Sequence, residues 1–336
     1  DPSVWATPTR ITAVDGGEGA LWGPCWFLPS DSREMWLFYS ESRGQCAGRK
    51  GTCKVPGMDW APGGDVKAAT VNLDTGVWST PMLVHSQEAD GPVPKVTANR
   101  PIELSTGEWI LPYWKERALL EKHCPELPGR EGAGVLISSD RGRSWSAHGN
   151  LVGPGTWLIE NAVAELSDGA LLMIFRTRIG LIYSARSENK GRTWGRPAPL
   201  GAASGTTLPN PNAKIDMLKL PSGALVVAFN DHVKPSPRDT PAELSWCTKC
   251  RTYLRVALSK DDGVSWERLA TIEAEEDATL RIHYPTLALD DCTLLVAYSR
   301  FFTRRPSPED PQFERQGIRV ARLALDQTLV TRTSGS

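Results

Sequence analysis

The side chains best suited to chemistry stand at the borders of apolar runs. Glu160 heads the run 162–166, Arg176 directly follows 171–175, and Arg251 sits on a loop before the stretch 253–259. Tyr284 lies in His283-Tyr284-Pro285-Thr286-Leu287. A phenol has an ordinary pKa of about 10, so it attacks carbon only with a base beside it. A guanidinium offers a planar fork that suits a carboxylate better than an ammonium does. Each residue also has a plain structural reading. Tyr284 can pack between sheets as a strand aromatic. Glu160 can stay exposed at a rim, because an unpaired buried carboxylate is costly. Arg176 and Arg251 either snorkel to a surface or meet an anion.

Further polar residues stand beside strands and line a pocket by position alone. These are Asn99 and Arg100, then Asn210, Asn212 and Lys214, and finally Arg178 and His283. Ordinary loop polarity explains each of them equally well. Seven cysteines leave at least one unpaired within the chain. Cys46 and Cys53 flank a short loop and can pair under oxidising conditions. Cys247 and Cys250 form a lone CxxC with no second pair, so structural or incidental thiols are expected rather than zinc.

The elements that position these residues repeat. Several of the thirteen tryptophans close one phrase, as in Ser138-Ser139-Asp140-Arg141-Gly142-Arg143-Ser144-Trp145. Ser259-Lys260-Asp261-Asp262-Gly263-Val264-Ser265-Trp266 repeats it, and Ser187-Glu188-Asn189-Lys190-Gly191-Arg192-Thr193-Trp194 repeats it with Asn for Asp. Asn72-Leu73-Asp74-Thr75-Gly76-Val77-Trp78 is a shortened copy, and Trp5 with Pro8 is the tail of another. In this phrase Asp or Asn opens a turn by bonding its own backbone, and Gly takes a positive φ. The Trp then returns to an extended strand and packs between sheets. Asp140, Asn189 and Asp261 are thus turn formers.

A second phrase alternates with the first: an apolar strand, a turn, another apolar strand. It occurs at 102–113, 163–175, 217–229 and 286–298, and more loosely at 25–39. Strand, turn, strand, loop, strand, Asp turn, strand is a four-stranded antiparallel blade, and blades repeated radially make a propeller. The fold class is all-β, one domain over 1–336. Five blades start near Trp22, Arg100, Glu160, Asn210 and Tyr284. Residues 5–12 read as the last strand of an earlier blade with its first strands missing, or as a strand that closes a five-bladed ring. Only 118–122 is helix-friendly. The polar insertions 44–65, 115–132, 234–247 and 301–316 are expected to overhang one face.

These units resemble the sialidase (neuraminidase) superfamily, whose catalytic domain is a six-bladed propeller with Asp boxes. Trp22-Gly23-Pro24-Cys25 followed by Met35-Trp36-Leu37-Phe38-Tyr39 is similar to that family's second blade. Glu160 through Gly169, ending in Phe175-Arg176, resembles the segment with the catalytic Glu and one Arg of an arginine triad. Arg251-Thr252-Tyr253-Leu254-Arg255 is similar to the segment with a further triad Arg. His283-Tyr284-Pro285 resembles the nucleophile strand. The resemblance implies that Tyr284 attacks, that Glu160 is its base, and that Arg176 and Arg251 grip a substrate carboxylate. Arg100, Asn212 and Arg178 are added as substrate-binding candidates. The chain departs from the family in lacking the Phe-Arg-Ile-Pro phrase with the first triad Arg, and the acid/base Asp that follows it.

The implied function is an exo-glycoside hydrolase that removes terminal sialic acid or a related acidic sugar with retention. Two alternatives remain: a propeller enzyme for uronic-acid glycans, and a non-catalytic glycan-binding propeller. No metal or organic cofactor is required. A net charge of −1, with 40% hydrophobic and 23% charged residues, is that of a soluble protein without general attraction to nucleic acid or anionic membrane. The apolar runs 170–175 and 224–229 are too short to span a bilayer. The chain begins at Asp1 without a methionine, which points to a processed or trimmed start. Oligomeric state and compartment stay open.

Overall fold

Three turns with one hydrogen-bond pattern set the frame. A computed structural model describes residues 10–14, 19–42, 62–116, 132–231, 250–277, 279–303, 307, 309 and 313–331. At Asp140 the carboxylate accepts from Ser144 N at 2.9 Å, the Ser138 hydroxyl accepts from Gly142 N at 2.8 Å, and Trp145 Nε1 donates to Gly142 O at 3.1 Å. The set recurs at Asn189, with distances of 2.8, 2.9 and 2.8 Å. It recurs again at Asp261, with 2.9, 2.9 and 3.0 Å. The glycines have φ of 84, 87 and 83°. The residues before them, Arg141, Lys190 and Asp262, are also left-handed at 59, 58 and 56°, which the sequence did not signal. At Gly263 a Cβ would fall 2.6 Å from Leu172 Cδ2, so both space and torsion demand glycine. The bonds from Ser144, side chain first and then backbone, hold the Asp140 carboxyl down to about 2.

The chain divides into two compact units. One is Asp1–Thr97 with Glu116–Arg130, and the other is Ala98–Lys115 with Glu131–Ser336. The first contains an antiparallel sheet of β1 (Leu21–Phe27), β2 (Glu34–Glu41), β3 (Asp65–Asn72) and β4 (Met82–His85) in that order. The short β5 (Lys95–Val96) bridges to Gly64. The shortened Asp phrase forms the turn after β3 differently from the full copies. Asn72 Oδ1 accepts from the N–H of Asp74 and Thr75, both at 3.0 Å, while Asp74 pairs with Arg33.

The second unit contains four sheets, each in sequential order. They are β6 (Ile102–Glu103), β7 (Trp109–Lys115), β8 (Gly132–Ser138) and β9 (Ser146–Leu151); then β10 (Ile159–Glu165), β11 (Leu171–Arg176), β12 (Tyr183–Ser187) and β13 (Ala198–Pro199). Next come β14 (Asp216–Lys219), β15 (Leu225–Asn230), β16 (Tyr253–Ser259) and β17 (Glu267–Ala274). The last sheet has three strands: β18 (Leu280–Asp290), β19 (Thr293–Phe302) and β20 (Gly317–Ala324). A one-turn helix, α1 (Gln327–Val330), follows.

Packing explains why the central strands read as unbroken apolar runs. Leu225, Val227 and Phe229 of β15 join one core with Leu172 and Ile174 of β11. Val226 and Ala228, pointing the other way, join Ile282, Leu287 and Val296 of the last sheet. Alternate residues thus serve different neighbours, and both faces are dry. Each such strand loses most of its water-accessible apolar surface at about 25 cal/mol per Å².

Five sheets stand where five blades were expected. The sixth blade of the resemblance is not formed among the described residues, because only five strand-turn-strand phrases exist to build blades. Residues 5–9 of the expected preceding strand lie outside the described residues, and Thr12–Val14 form a 3-10 turn. The segment 118–122, all of 234–247, most of 44–65 and 115–132, part of 301–316, and Cys46, Cys53 and Cys247 also lie outside. Cys250 is disulfide-bonded, which corrects the expectation of a plain thiol and removes it as a zinc ligand. Cys292 is a free thiol, and Cys25 Sγ donates to Gly23 O at 3.3 Å. No helix among the described residues is long and apolar enough to cross a membrane.

Candidate active site

The site sits on the second unit, where two inner strands carry the same irregularity. In β10 the pairing with β11 slips between Ile159 and Ala162, and in β18 the pairing with β19 slips between His283 and Thr286. Each slip inserts one extra residue, a β-bulge. Its first residue is left-handed: Glu160 at φ 48° and Tyr284 at φ 57°. Glycine normally takes that position, and a side chain there costs of order 1–3 kcal/mol. Both chemically capable residues are therefore aimed by backbone strain. Asn212, just before β14, is left-handed as well at φ 48°.

Arg176, the last residue of β11, gathers the group. Its Nη1 donates to Glu160 Oε2 at 2.7 Å and to Tyr284 Oη at 3.3 Å, and its Nε donates to Asn212 Oδ1 at 2.8 Å. Tyr284 and Glu160 thus share one nitrogen, with no direct hydrogen bond between them. Glu160 and Arg176 are buried, whereas Tyr284 is 38% exposed. Burial works against the Arg176 charge, but Glu160 and Tyr284 outweigh it and hold the guanidinium above its usual range.

Arg251 is built in differently. Its Nη2 donates to Asn212 O at 2.7 Å, its Nη1 donates to His283 Nδ1 at 2.7 Å, and its Cζ lies 6.0 Å from the Tyr284 ring centroid. Its Nε is buried without a partner, and no carboxylate pairs with it among the described residues. Burial first, then the nearby Arg176, lowers its pKa. Asn212 consequently fixes both arginines, one through its side chain and one through its carbonyl. Position alone suggested Asn212; this double role had no signal in the sequence.

His283 was noted only as a neighbour of Tyr284, yet its ring meets the phenol edge-on at 4.5 Å. Burial, then Arg251, Arg176 and Arg281, push its pKa from 6.5 to about 3. The neutral imidazole accepts from Arg251 at Nδ1, leaving Nε2 protonated. Between those two values the unfolded chain binds the extra proton. Stability therefore falls as pH drops from 6.5 toward about 3, by up to about 1.4 kcal/mol per unit. Urea unfolding of parent and His283→Asn at pH 7, 5.5 and 4.5 is expected to show the shallower pH slope in the variant.

The other two expected ligand-binding residues are placed elsewhere. Arg100 Nη2 donates to Asp216 Oδ2 at 2.7 Å and also to Leu287 O. Asp216 in turn accepts from Leu287 N at 2.7 Å and Met217 N at 2.9 Å. This knot ties three sheets together. Asn99 adds a second one, its amide donating to Glu160 O at 2.8 Å, Asn161 O at 3.1 Å and Ile215 O at 3.3 Å. Arg100→Ala is expected to cost about 2 kcal/mol, since Asp216 keeps its two backbone donors; a lowered urea midpoint would register it. Arg178 lies over Trp157, beyond the end of β11. Asn210 and Lys214 bond to Ala213 O and Pro285 O, at 2.7 and 2.9 Å. Among the described residues, no three His, Cys, Asp or Glu side chains form a metal cluster.

Comparison with known proteins agrees with this architecture. A protein of unknown function from Dyadobacter fermentans superposes with a TM-score of 0.62 at 16% identity, covering 90% of this chain and 76% of its own. A Hadza microbial sialidase gives 0.59 at 19% identity, over 87% and 54%. An intramolecular trans-sialidase from Ruminococcus gnavus, solved with oseltamivir carboxylate, gives 0.60 at 11% identity, over 96% and 82%. The chain thus spans about half of the Hadza enzyme. No curated protein sequence matches it. The fold is a β-propeller of the sialidase type. With residues 2–296 matching its profile, the chain belongs to the family described as "BNR repeat-like domain".

Proposed function

We propose that this protein is a retaining exo-glycosidase for a terminal acidic sugar, with sialic acid as the leading candidate. The observation that carries the reading is Arg176 Nη1 donating to both Glu160 Oε2 and Tyr284 Oη. A sialic acid bears a carboxylate on the carbon to be attacked. A neutral phenol approaches that carbon without the repulsion an anionic carboxylate would meet. Arg251, short of an anion, and Arg176 would take the substrate carboxylate as planar forks. As Arg176 turns to the substrate, Glu160 Oε2 is released to accept the phenol proton; Tyr284 Oη bonds to the anomeric carbon while the glycosidic C–O bond breaks, and the departing oxygen takes a proton from solvent water. Hydrogen bonds of this kind commonly close only once substrate is bound. Water then attacks from the face the aglycone left, the Tyr284 Oη–carbon bond breaks, and the phenolate regains its proton from Glu160, giving net retention.

Proton NMR of a sialoside incubated with the protein tests this. Release of the α-anomer before mutarotation is the expected result. Release of the β-anomer first would overturn it, and turnover of uronate-containing glycans alone would replace sialic acid by a uronic acid as the sugar. Binding of a sialoside without turnover would favour the non-catalytic reading, which draws on Glu160 being bonded to Arg176 instead of Tyr284.

A further inference from the structure

Past the end of the sheet that carries Glu160 and Arg176 lies a small knot of loop residues. Trp157 is three residues before Glu160, and Arg178 is two residues after Arg176. Ile159 and Arg176 are paired across β10 and β11, so both loops leave the same end of the blade. The Arg178 guanidinium stacks over the Trp157 ring at 5.2 Å. Its Nε and Nη2 donate to Gly155 O at 3.3 and 3.2 Å, and its backbone N–H donates to Thr156 Oγ1 at 3.0 Å. Thr156 is buried and its hydroxyl donates to Trp157 O at 3.1 Å, which locks the turn from beneath.

An exposed arginine ordinarily samples many rotamers, and holding one still has an entropic cost. This one is exposed yet fixed by a carbonyl, an indole and its own backbone. Among the described residues no carboxylate pairs with it. The outer edge of its fork, with Nη1 unused, is therefore a cation held ready for an anion that the described residues do not supply. Trp157, half-buried beneath the guanidinium, holds it from one side, and its own buried Nε1 has no partner.

We infer that Arg178, held on Trp157, is a second anion-binding point selecting glycans with a second carboxylate or sulfate beyond the one held by Arg176 and Arg251. The inference rests on the acidic-sugar reading of the main site. It makes a doubly charged glycan the preferred ligand over one with a neutral remainder.

Calorimetric titration with three probes tests it: a sialoside on neutral lactose, the same glycan carrying a second sialic acid, and the same glycan carrying a sulfate. The parent should bind one or both doubly charged probes more tightly than the singly charged one. Which of them gains tells whether carboxylate or sulfate is read. Arg178→Ala should cut that affinity ratio about tenfold. Arg178→Lys should restore part of it, since it keeps the charge and loses the fork. A ratio near one in the parent, or a ratio unchanged by Arg178→Ala, would overturn the proposal while leaving the main site intact. Failure of the parent to bind any of the three would overturn it together with the acidic-sugar reading.

Discussion

Tyr284→Phe is expected to lower sialoside turnover by at least about 10³-fold while changing ligand affinity only a few-fold. The variant deletes one oxygen and keeps the ring, so the edge contact with His283 and the stacking under Arg251 persist. Phenylalanine suffers at φ 57° as tyrosine does, so the torsional cost is common to both and folding is little affected. Arg176 loses only its longer bond, at 3.3 Å, and keeps those to Glu160 and Asn212. Loss of rate with retained binding therefore isolates the nucleophile. A variant that turns over at the parent rate would assign the chemistry to another group.

Arg251→Met should lose about a hundredfold in affinity for an acidic sugar without losing stability. In the free protein Arg251 faces burial and the charge of Arg176, both of which lower its pKa, and its Nε is left without a partner. Its contacts are to a carbonyl, a neutral imidazole and an aromatic face. Replacing it by a flexible apolar chain removes like-charge repulsion and an orphan donor, so the urea midpoint should stay level or rise. Activity gained at the expense of stability is the usual mark of a binding site. Arg176→Met would behave in the opposite way, leaving the Glu160 carboxyl buried and unpaired. A stable Arg251→Met with parental affinity would mean that this cation does not meet the ligand.

Local features were readable from the sequence, and long-range ones were not. The Asp turns follow from chemistry within eight residues, so Asp140, Asn189 and Asp261 make the bonds their types require. The strand at Leu225–Asn230 is apolar throughout because it serves two cores. Arg100 was expected at the ligand, yet it reaches Asp216, 116 positions away in the chain. No local pattern encodes such a reach. Asn212 and His283 could be placed beside strands from the sequence, but their hydrogen bonds to Arg176 and Arg251 depend on sheets meeting at one place. The bulges at Glu160 and Tyr284 were hidden because the side chains there are not the glycines that advertise such a backbone. The tyrosine, glutamate and arginine roles entered through resemblance, since composition and spacing alone left a packing aromatic and a rim carboxylate open.

The same bulge occurs in the first sheet, where β1 slips against β2 between Trp22 and Cys25 and the left-handed residue is Gly23. A Cβ at Gly23 would fall 1.6 Å from Thr97 O. A neighbouring carbonyl therefore fills the space that a functional side chain would need, and this sector is mute by geometry. Within such a scaffold, gain or erasure of chemistry needs no new loop, only the exchange of one residue at a fixed kink and room for it to project. A relative that had abandoned catalysis would keep every tryptophan turn and carry small residues at the positions of Glu160 and Tyr284, so its kinks would be a better guide to its past than its repeats.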